Sequence, residues 1–140
     1  MSLITRRAVL AAAAMIPTAA LAQTPAPSDA YIYIIWPNDG QVIKGAFWCR
    51  FGLRNMGIAR AGDKTPNAGH HHLFVNVSEP IKPGDVIPAD KNHIHYGAGQ
   101  SEARVELPPG RHTLQLVLGD ADHKVFNPVV ASKRITVTVQ

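Results

Sequence analysis

Apolar and polar residues alternate along much of the chain with the two-residue period of β-strands. The stretch 46–54 shows the pattern well, because Phe47, Cys49, Phe51 and Leu53 share one phase and the intervening residues share the other. The same reading predicts strands over residues 31–36, 46–54, 71–78, 103–107, 111–118 and 134–139, with a further short strand near 85–87. No segment shows the period of a helix.

Turn signals separate these strands. Pro37-Asn38-Asp39-Gly40 ends the first strand, and Pro108-Pro109-Gly110 joins two later ones. Six or seven short strands with such turns favour an all-β fold, namely a single antiparallel β-sandwich of the immunoglobulin-like kind. We therefore expect one domain over residues 31–140.

The N-terminal residues 1–22 have the composition of a cleaved export signal. Arg6 and Arg7 precede a run of small apolar residues, which ends in the small-x-small sequence Ala20-Leu21-Ala22. The arginine pair fits either a twin-arginine signal or the basic start of an ordinary one. The expected location is the periplasm, with residues 23–30 as a flexible leader.

Charge and cysteine content exclude several classes of protein. Without Arg6 and Arg7 the basic count falls from 14 to 12 against 10 acidic residues, too small an excess to predict binding to nucleic acid or to a membrane surface. The apolar run before residue 22 is too short for a membrane span and belongs to the cleaved signal. We therefore expect no membrane span in the mature chain. Cys49, the only cysteine, lies on the apolar phase of its strand and is predicted to be structural.

Most of the seven histidines fall in or beside three long connections of the predicted fold. In an immunoglobulin-like sandwich these connections lie at one end, so their histidines should converge on one rim. His71 is in phase with the core while His70 and His72 face the other way, so the three cannot all ligate one ion. The candidate metal ligands are His70, His71, His72, His93, His95 and His123.

Imidazole is the commonest protein ligand for transition metals, and copper or zinc is the expected ion. In His93-Ile94-His95 the two histidines face the same side of an extended chain. Asp120 and Glu102 are candidates for oxygen ligands or for carboxylates that orient an imidazole. His112 begins a strand on the core phase and is predicted to be structural, donating to a backbone carbonyl.

Three blocks of sequence resemble a bacterial exported family known as domain of unknown function 4399. They are Gly69-His70-His71-His72-Leu73, the stretch from Ile87 to Glu102 with its His-Ile-His, and the stretch from Leu107 to Asp120. The resemblance implies export and a single small domain, and it implies no activity. Relatives usually have a proline and a second histidine where this chain has Val125 and Phe126.

The leading hypothesis is a periplasmic copper- or zinc-binding protein that acts as a buffer, carrier or sensor module, with the metal ion as its main partner. The alternative is a non-enzymatic structural or interaction domain of the envelope, with a metal-free histidine rim and an envelope protein as partner. A metal-dependent enzyme is the third hypothesis. The chain has no H-E-x-x-H, G-x-S-x-G or phosphate-binding glycine motif, so no catalytic residue is predicted.

Overall fold

The computed structural model describes residues 22–140, which form strands and loops and contain no helix. The predicted export signal lies outside the described residues except for Ala22. The strands are β1 (Tyr31–Trp36), β2 (Val42–Ile43), β3 (Phe47–Arg54), β4 (Gly57–Ile58), β5 (Ala68–Val75), β6 (His93–Tyr96), β7 (Glu102–Val105), β8 (Gly110–Gly119) and β9 (Ile135–Val139). Within residues 22–140 there is accordingly no helix that could cross a membrane.

The strands form two sheets. One sheet has the order β1-β3-β7, and the other has the order β2-β9-β8-β5-β4 with β6 also paired to β5. The pairings are antiparallel except for those of the two-residue strands β2 and β4. The sequence predicts six or seven strands, and residues 22–140 form nine. The extra ones, β2, β4 and β6, are short and lie between the predicted strands. The short strand predicted near 85–87 is absent from these residues, since Val86 forms only an isolated bridge with Lys124.

The main hydrophobic core lies between the two sheets. Phe47, Cys49 and Phe51 of β3 face Leu114 and Leu116 of β8, and all five are buried. Their alternation in the sequence follows from the period of the strand, since every second side chain points into the core. The apolar phase predicted from sequence is therefore the inner face of each sheet.

A second apolar cluster covers the outer face of the larger sheet. Phe74 and Val117 project from β5 and β8, and Ile87 and Val125 come from the loops before β6 and after β8. These loops place strand β5 under cover on both faces, so all eight of its residues are buried. The outer face of β5 is thus an interior environment, which alternation in the sequence does not reveal.

The leader is attached to the domain. A β-bridge joins Pro25 to Asn127, and the Asn127 side-chain amide donates to the Gln23 side-chain oxygen Oε1 at 2.8 Å. The Thr24 hydroxyl donates to the Asp120 carboxylate at 2.6 Å. The sequence predicts a flexible leader over 23–30. Instead, hydrogen bonds of its side chains and backbone hold the start of the leader, residues 23–26, on the loop that follows β8.

Candidate metal centre

Strand β5 carries three consecutive buried histidines and divides them between its two faces. His70, His71 and His72 are at most 1 % exposed. Successive side chains of a strand point to opposite faces, so His71 faces the main core while His70 and His72 face the outer layer. The ring centroids of His70 and His72 are 4.7 Å apart. Two imidazoles of the triplet therefore start a site, and the third lies on the other side of the sheet.

Strand β6 adds His95 to this pair. The register of β5 with β6 sets His95 opposite His72 and sets His93 opposite Phe74. Since residues i and i+2 share a face, both histidines of His-Ile-His lie on the outer face, as the spacing predicts. Only His95 is level with the histidines of β5, and its ring centroid lies 4.9 Å from that of His70.

The loop between β8 and β9 supplies the fourth imidazole, that of His123. This residue has a φ of 61°, a conformation uncommon for a residue with a side chain, and its backbone N–H donates to the Asp120 carbonyl. The Asp120 carboxylate accepts hydrogen bonds from the N–H groups of Asp122 and Lys124 and so holds the turn together. The turn brings His123 Nδ1 to 3.2 Å from His70 Nε2.

The four imidazoles surround a common point. Each ring offers one nitrogen, and these four nitrogens all lie within 4.8 Å of one another. The six distances between ring centroids run from 4.6 to 5.9 Å. A tetrahedral ion with nitrogens at about 2.0–2.1 Å would place the ring centroids about 5 Å apart and the nitrogens about 3.3 Å apart. The centroid distances are compatible with a four-coordinate ion, and the nitrogens, which lie up to 4.8 Å apart, would have to draw closer around it.

Two glycines make room for these rings. A Cβ on Gly119 would lie 2.9 Å from His72 Nδ1, and a Cβ on Gly97 would overlap the His95 ring. Both approaches are closer than real Cβ contacts, so any residue larger than glycine at these positions must displace an imidazole ring. The sequence analysis did not identify either glycine as part of the site. In the sequence, Gly97 follows His95 by two residues and Gly119 directly follows a predicted apolar strand, and these positions were the signal that could have identified them.

The environment lowers the pKa of His70, His72 and His95 and so favours their neutral forms. Burial, followed by the neighbouring histidines, lowers the pKa of His70 from 6.5 to about 4 and that of His72 to about 3. Burial and then His123 also lower the pKa of His95. A neutral imidazole has a free lone pair for a metal, and a depressed pKa means that protons compete weakly for it.

His70, His71 and His72 each leave one buried nitrogen without a hydrogen-bond partner among the described residues, namely Nδ1 of His70, Nε2 of His71 and Nδ1 of His72. A buried polar atom without a partner costs about 1–3 kcal/mol, so native structures keep few of them. His71 on the other face of β5 shares this feature, so the partnerless nitrogens follow from the burial of the triplet and do not by themselves distinguish the four-histidine group.

Two of the six candidate ligands lie outside this group. His71 contacts Phe51 at 5.0 Å between ring centroids, and its Nδ1 lies 3.2 Å from the Gln100 carbonyl oxygen. His93 packs against Phe74, with its Nδ1 2.8 Å from the Asp90 carboxylate. The structure thus unites His70, His72, His95 and His123, and it places the other two in separate surroundings.

The group also lies in a different place from the predicted loop rim. His70, His72 and His95 are strand residues, and only His123 is in a loop. The reason is that β5 begins at Ala68, three residues before the predicted strand. The site is therefore on the outer face of the larger sheet, beneath the covering loops.

The remaining candidate residues have contacts of their own. Asp120 supports the His123 turn, and its carboxylate raises the pKa of His70 against the larger lowering effects. Glu102 is in the other sheet, 3.8 Å from Arg50, and does not reach the histidines. His112 is buried and donates through Nε2 to the Pro108 carbonyl at 2.7 Å. Cys49 is fully buried, which raises the pKa of its thiol to about 12.

A cavity of about 210 Å³ opens on one side of the four histidines. His72, His95 and His123 line it, together with Ile87, Pro88 and the rim residue Asp122. His70 is not among its lining residues. The four imidazoles thus have a closed side at His70 and an open side at the cavity.

Comparisons with known proteins identify the family of the chain and do not bear on the histidine group. The family described as "Domain of unknown function (DUF4399)" matches residues 49–140. No curated protein matches the chain. Fibronectin(III)-like modules of Clostridium thermocellum CbhA are a similar solved structure, at 14 % identity over 77 % of this chain and 92 % of that chain, with a TM-score of 0.36. A likeness this weak supports no argument, and the two-sheet architecture is described from the strands themselves.

Proposed function

The chain belongs to the DUF4399 family, and for this member we propose transition-metal binding by His70, His72, His95 and His123. The ion is copper or zinc, and the protein acts as a buffer, carrier or sensor module and not as an enzyme. The observation that carries the proposal is the convergence of four imidazole nitrogens within 4.8 Å. Three separate segments of the chain contribute to this group.

The alternative is a metal-free rim stabilised by hydrogen bonds between histidines. It requires the ring nitrogens to satisfy one another. Among the described residues, one pair of ring nitrogens in the group is within hydrogen-bond distance, His70 Nε2 with His123 Nδ1. One such bond leaves the rings of His72 and His95 without a histidine partner within residues 22–140, so a hydrogen-bonded rim accounts for the convergence of the four rings less well than a shared ion does.

The spacing also favours particular ions. Zinc and cuprous ions accept four ligands in a tetrahedron, whereas cupric ion prefers a tetragonal arrangement. Soft sulfur ligands that favour copper are not part of the group, and imidazole suits both metals. Copper and zinc are therefore both candidates, and Zn²⁺ and Cu⁺ are the ions whose preferred geometry is compatible with the group.

The number of ligands supports binding without catalysis. Catalytic zinc sites usually have three protein ligands and keep a fourth position for water, while structural and storage sites are fully ligated. Four histidines at tetrahedral spacing fill the coordination of the ion. The role as a buffer, carrier or sensor follows from this.

Two further parts of the proposal concern location and fold. Residues 1–22 support export to the periplasm, where the protein would meet metal ions outside the cytoplasm. The strand order supports the immunoglobulin-like assignment, since β1, β3 and β7 correspond to strands A, B and E of that fold, and β5, β8 and β9 to C, F and G.

The test is titration of the purified, metal-free mature protein with zinc and with copper under reducing conditions. We expect one ion per chain for the native protein and no stoichiometric binding for the double variant His70→Ala/His72→Ala. His93→Ala is the matched control, because His93 lies on the same sheet face but outside the group, and it should bind one ion. Absence of stoichiometric binding by the native protein with both metals would refute the proposal.

A further inference from the structure

We propose that the bound ion is exchanged through the cavity beside the histidines, and that an external donor replaces His95 first. This inference rests on the proposed metal binding and goes beyond it. It specifies the route of the ion, the protein ligand that is exchanged and the kind of donor that takes its place.

The route follows from which histidines line the cavity. His72, His95 and His123 do so, while His70 does not. In a tetrahedral site, three ligands bound one triangular face, and the fourth lies opposite that face. An incoming donor would therefore reach the ion from the side of the three lining histidines, and it would take the position that the His95 ring vacates when it turns into solvent.

His95 is the ligand least restrained by the protein. It is exposed, whereas His70 and His72 are fully buried between the sheet and its covering loops. Its strand, β6, has four residues and pairs only with β5. His123 is held by the turn that Asp120 organises and by its contact with His70. Rotation of the His95 ring into solvent disturbs the least structure.

The cavity sets the size and chemistry of the donor. A water molecule takes about 30 Å³ in the liquid, so a space of about 210 Å³ admits one side chain or one small ring. Ile87 and Pro88 form apolar walls, and Asp122 is the one carboxylate at the rim. These walls fit a neutral nitrogen or sulfur donor better than an anion. In the exchange the bond from the metal to His95 breaks and a bond to the donor forms, with no change of oxidation state.

The first test is rescue of ligand deletions by free imidazole, measured as zinc affinity. His95→Ala creates a vacancy that opens on the cavity, and His70→Ala creates one on the closed side. We expect millimolar imidazole to restore the zinc affinity of His95→Ala to within about tenfold of the native value, and to leave His70→Ala weak. Equal rescue of both variants, or no rescue of His95→Ala, would overturn the inference.

A second test leaves every histidine in place. Ala89 is exposed on the cavity wall, and Ala89→Trp should obstruct the cavity. Transfer of zinc to an excess of the neutral nitrogen chelator 1,10-phenanthroline should become about tenfold slower, with the zinc affinity unchanged. Pro66→Trp is the control, because Pro66 lines a different cavity beside Asp120. Equal transfer rates in the native protein and both variants would contradict the proposed route.

The two proposals fail in different ways. If the native protein binds no zinc at stoichiometry, metal binding and the route through the cavity both fall. If it binds one ion tightly but His95→Ala shows no selective rescue, metal binding stands and the route through the cavity is wrong.

Discussion

His71 and its two neighbours occupy the same buried strand and yet have different surroundings. All three rings are almost completely buried, and burial lowers the pKa of each. His71 faces Phe51 and the Gln100 carbonyl oxygen, while His70 and His72 face two further imidazoles. Burial and a depressed pKa are thus common to a core histidine and a candidate ligand. What distinguishes the candidate ligands His70 and His72 from His71 is that further imidazole nitrogens lie close to theirs.

Strand β6 repeats the comparison on one face. His93 and His95 point to the same face of the sheet, but His93 lies two residues earlier in β6 and is therefore opposite Phe74 and not opposite a histidine. It is paired with Asp90 there. A shared face is therefore necessary and not sufficient, because the position along the neighbouring strand decides which ring joins the site.

The largest expected difference is in metal affinity between the two faces of β5. Structural zinc sites provide about 10–16 kcal/mol, so loss of one of four ligands should cost about 2.5–4 kcal/mol, or about 10²- to 10³-fold in affinity. We expect this loss for His70→Ala and for His72→Ala, and a change below about tenfold for His71→Leu. Competition against a zinc chelator measures all three. Equal losses in the three variants would show that the face is irrelevant.

The next effect is on thermal stability. Metal at 100 times its dissociation constant should stabilise the fold by about 2.7 kcal/mol, which raises the melting temperature by about 10 °C in a domain of this size. His71→Leu should keep the rise, and His70→Ala/His72→Ala should lose it. Calorimetry with and without zinc measures the difference. A rise that survives in the double variant would place the ion elsewhere.

The metal-free protein should lose stability as the pH falls from about 6.5 toward 4. The folded pKa values of His70 and His71 are about 4 and that of His72 is about 3, so the unfolded chain binds protons first and is favoured in this range. Each of these histidines contributes up to about 1.4 kcal/mol per pH unit, with no contribution above 6.5. Urea unfolding at pH 7, 6 and 5 gives the slope.

His71 should contribute to this pH dependence without contributing to metal binding, because its pKa is lowered but it lies outside the four-histidine group. His71→Leu should reduce the slope by one histidine's share, and zinc binding should be retained at pH 7. An unchanged slope in His71→Leu would mean that His71 is not buried as a neutral imidazole.

A smaller effect is expected at the glycine behind His95. Gly97→Ala should displace the exposed His95 ring, weakening zinc binding by about 10- to 100-fold, as for groups that orient metal ligands, with little change in metal-free stability. Gly57→Ala is the control, because its Cβ would lie 3.5 Å from the Ala68 Cβ, an ordinary contact. If both variants bind zinc like the native protein, the His95 ring is not held where the structure places it.

The smallest effect is expected for His93→Ala. The His93 side chain is 16 % exposed and packs against Phe74, and its pair with the exposed Asp90 adds about 0–1 kcal/mol. Zinc affinity should be unchanged, while urea unfolding should show the loss of the pair together with the loss of ring packing on Phe74. A large loss of zinc affinity would return His93 to the ligand set.

The inner faces of the strands and much of the division of the histidines can be read from the sequence. Alternation predicts the all-β class and sets His71 apart from His70 and His72, because a strand has a fixed period of two. The resemblance of the sequence blocks identifies the family, which the match over residues 49–140 confirms.

The outer layer could not be read in this way. Its cover consists of irregular loops whose apolar residues, such as Ile87 and Val125, follow no period. The register of β6 on β5 is also a tertiary property, and it decides that His95 and not His93 meets His72. The turn that presents His123 depends on hydrogen bonds from residues on both sides of Asp120, including Thr24 of the leader.

The central claim is that four imidazoles bind one ion on the outer face of β5. X-ray absorption spectroscopy of the zinc-loaded protein tests it most directly, because it counts ligands and identifies imidazole by its scattering. We predict four ligands at about 2.0 Å, all imidazole, and in His95→Ala without added imidazole three imidazoles with water in the fourth position. A site with two or fewer imidazoles, or an imidazole count that is unchanged in His95→Ala, would contradict the assignment.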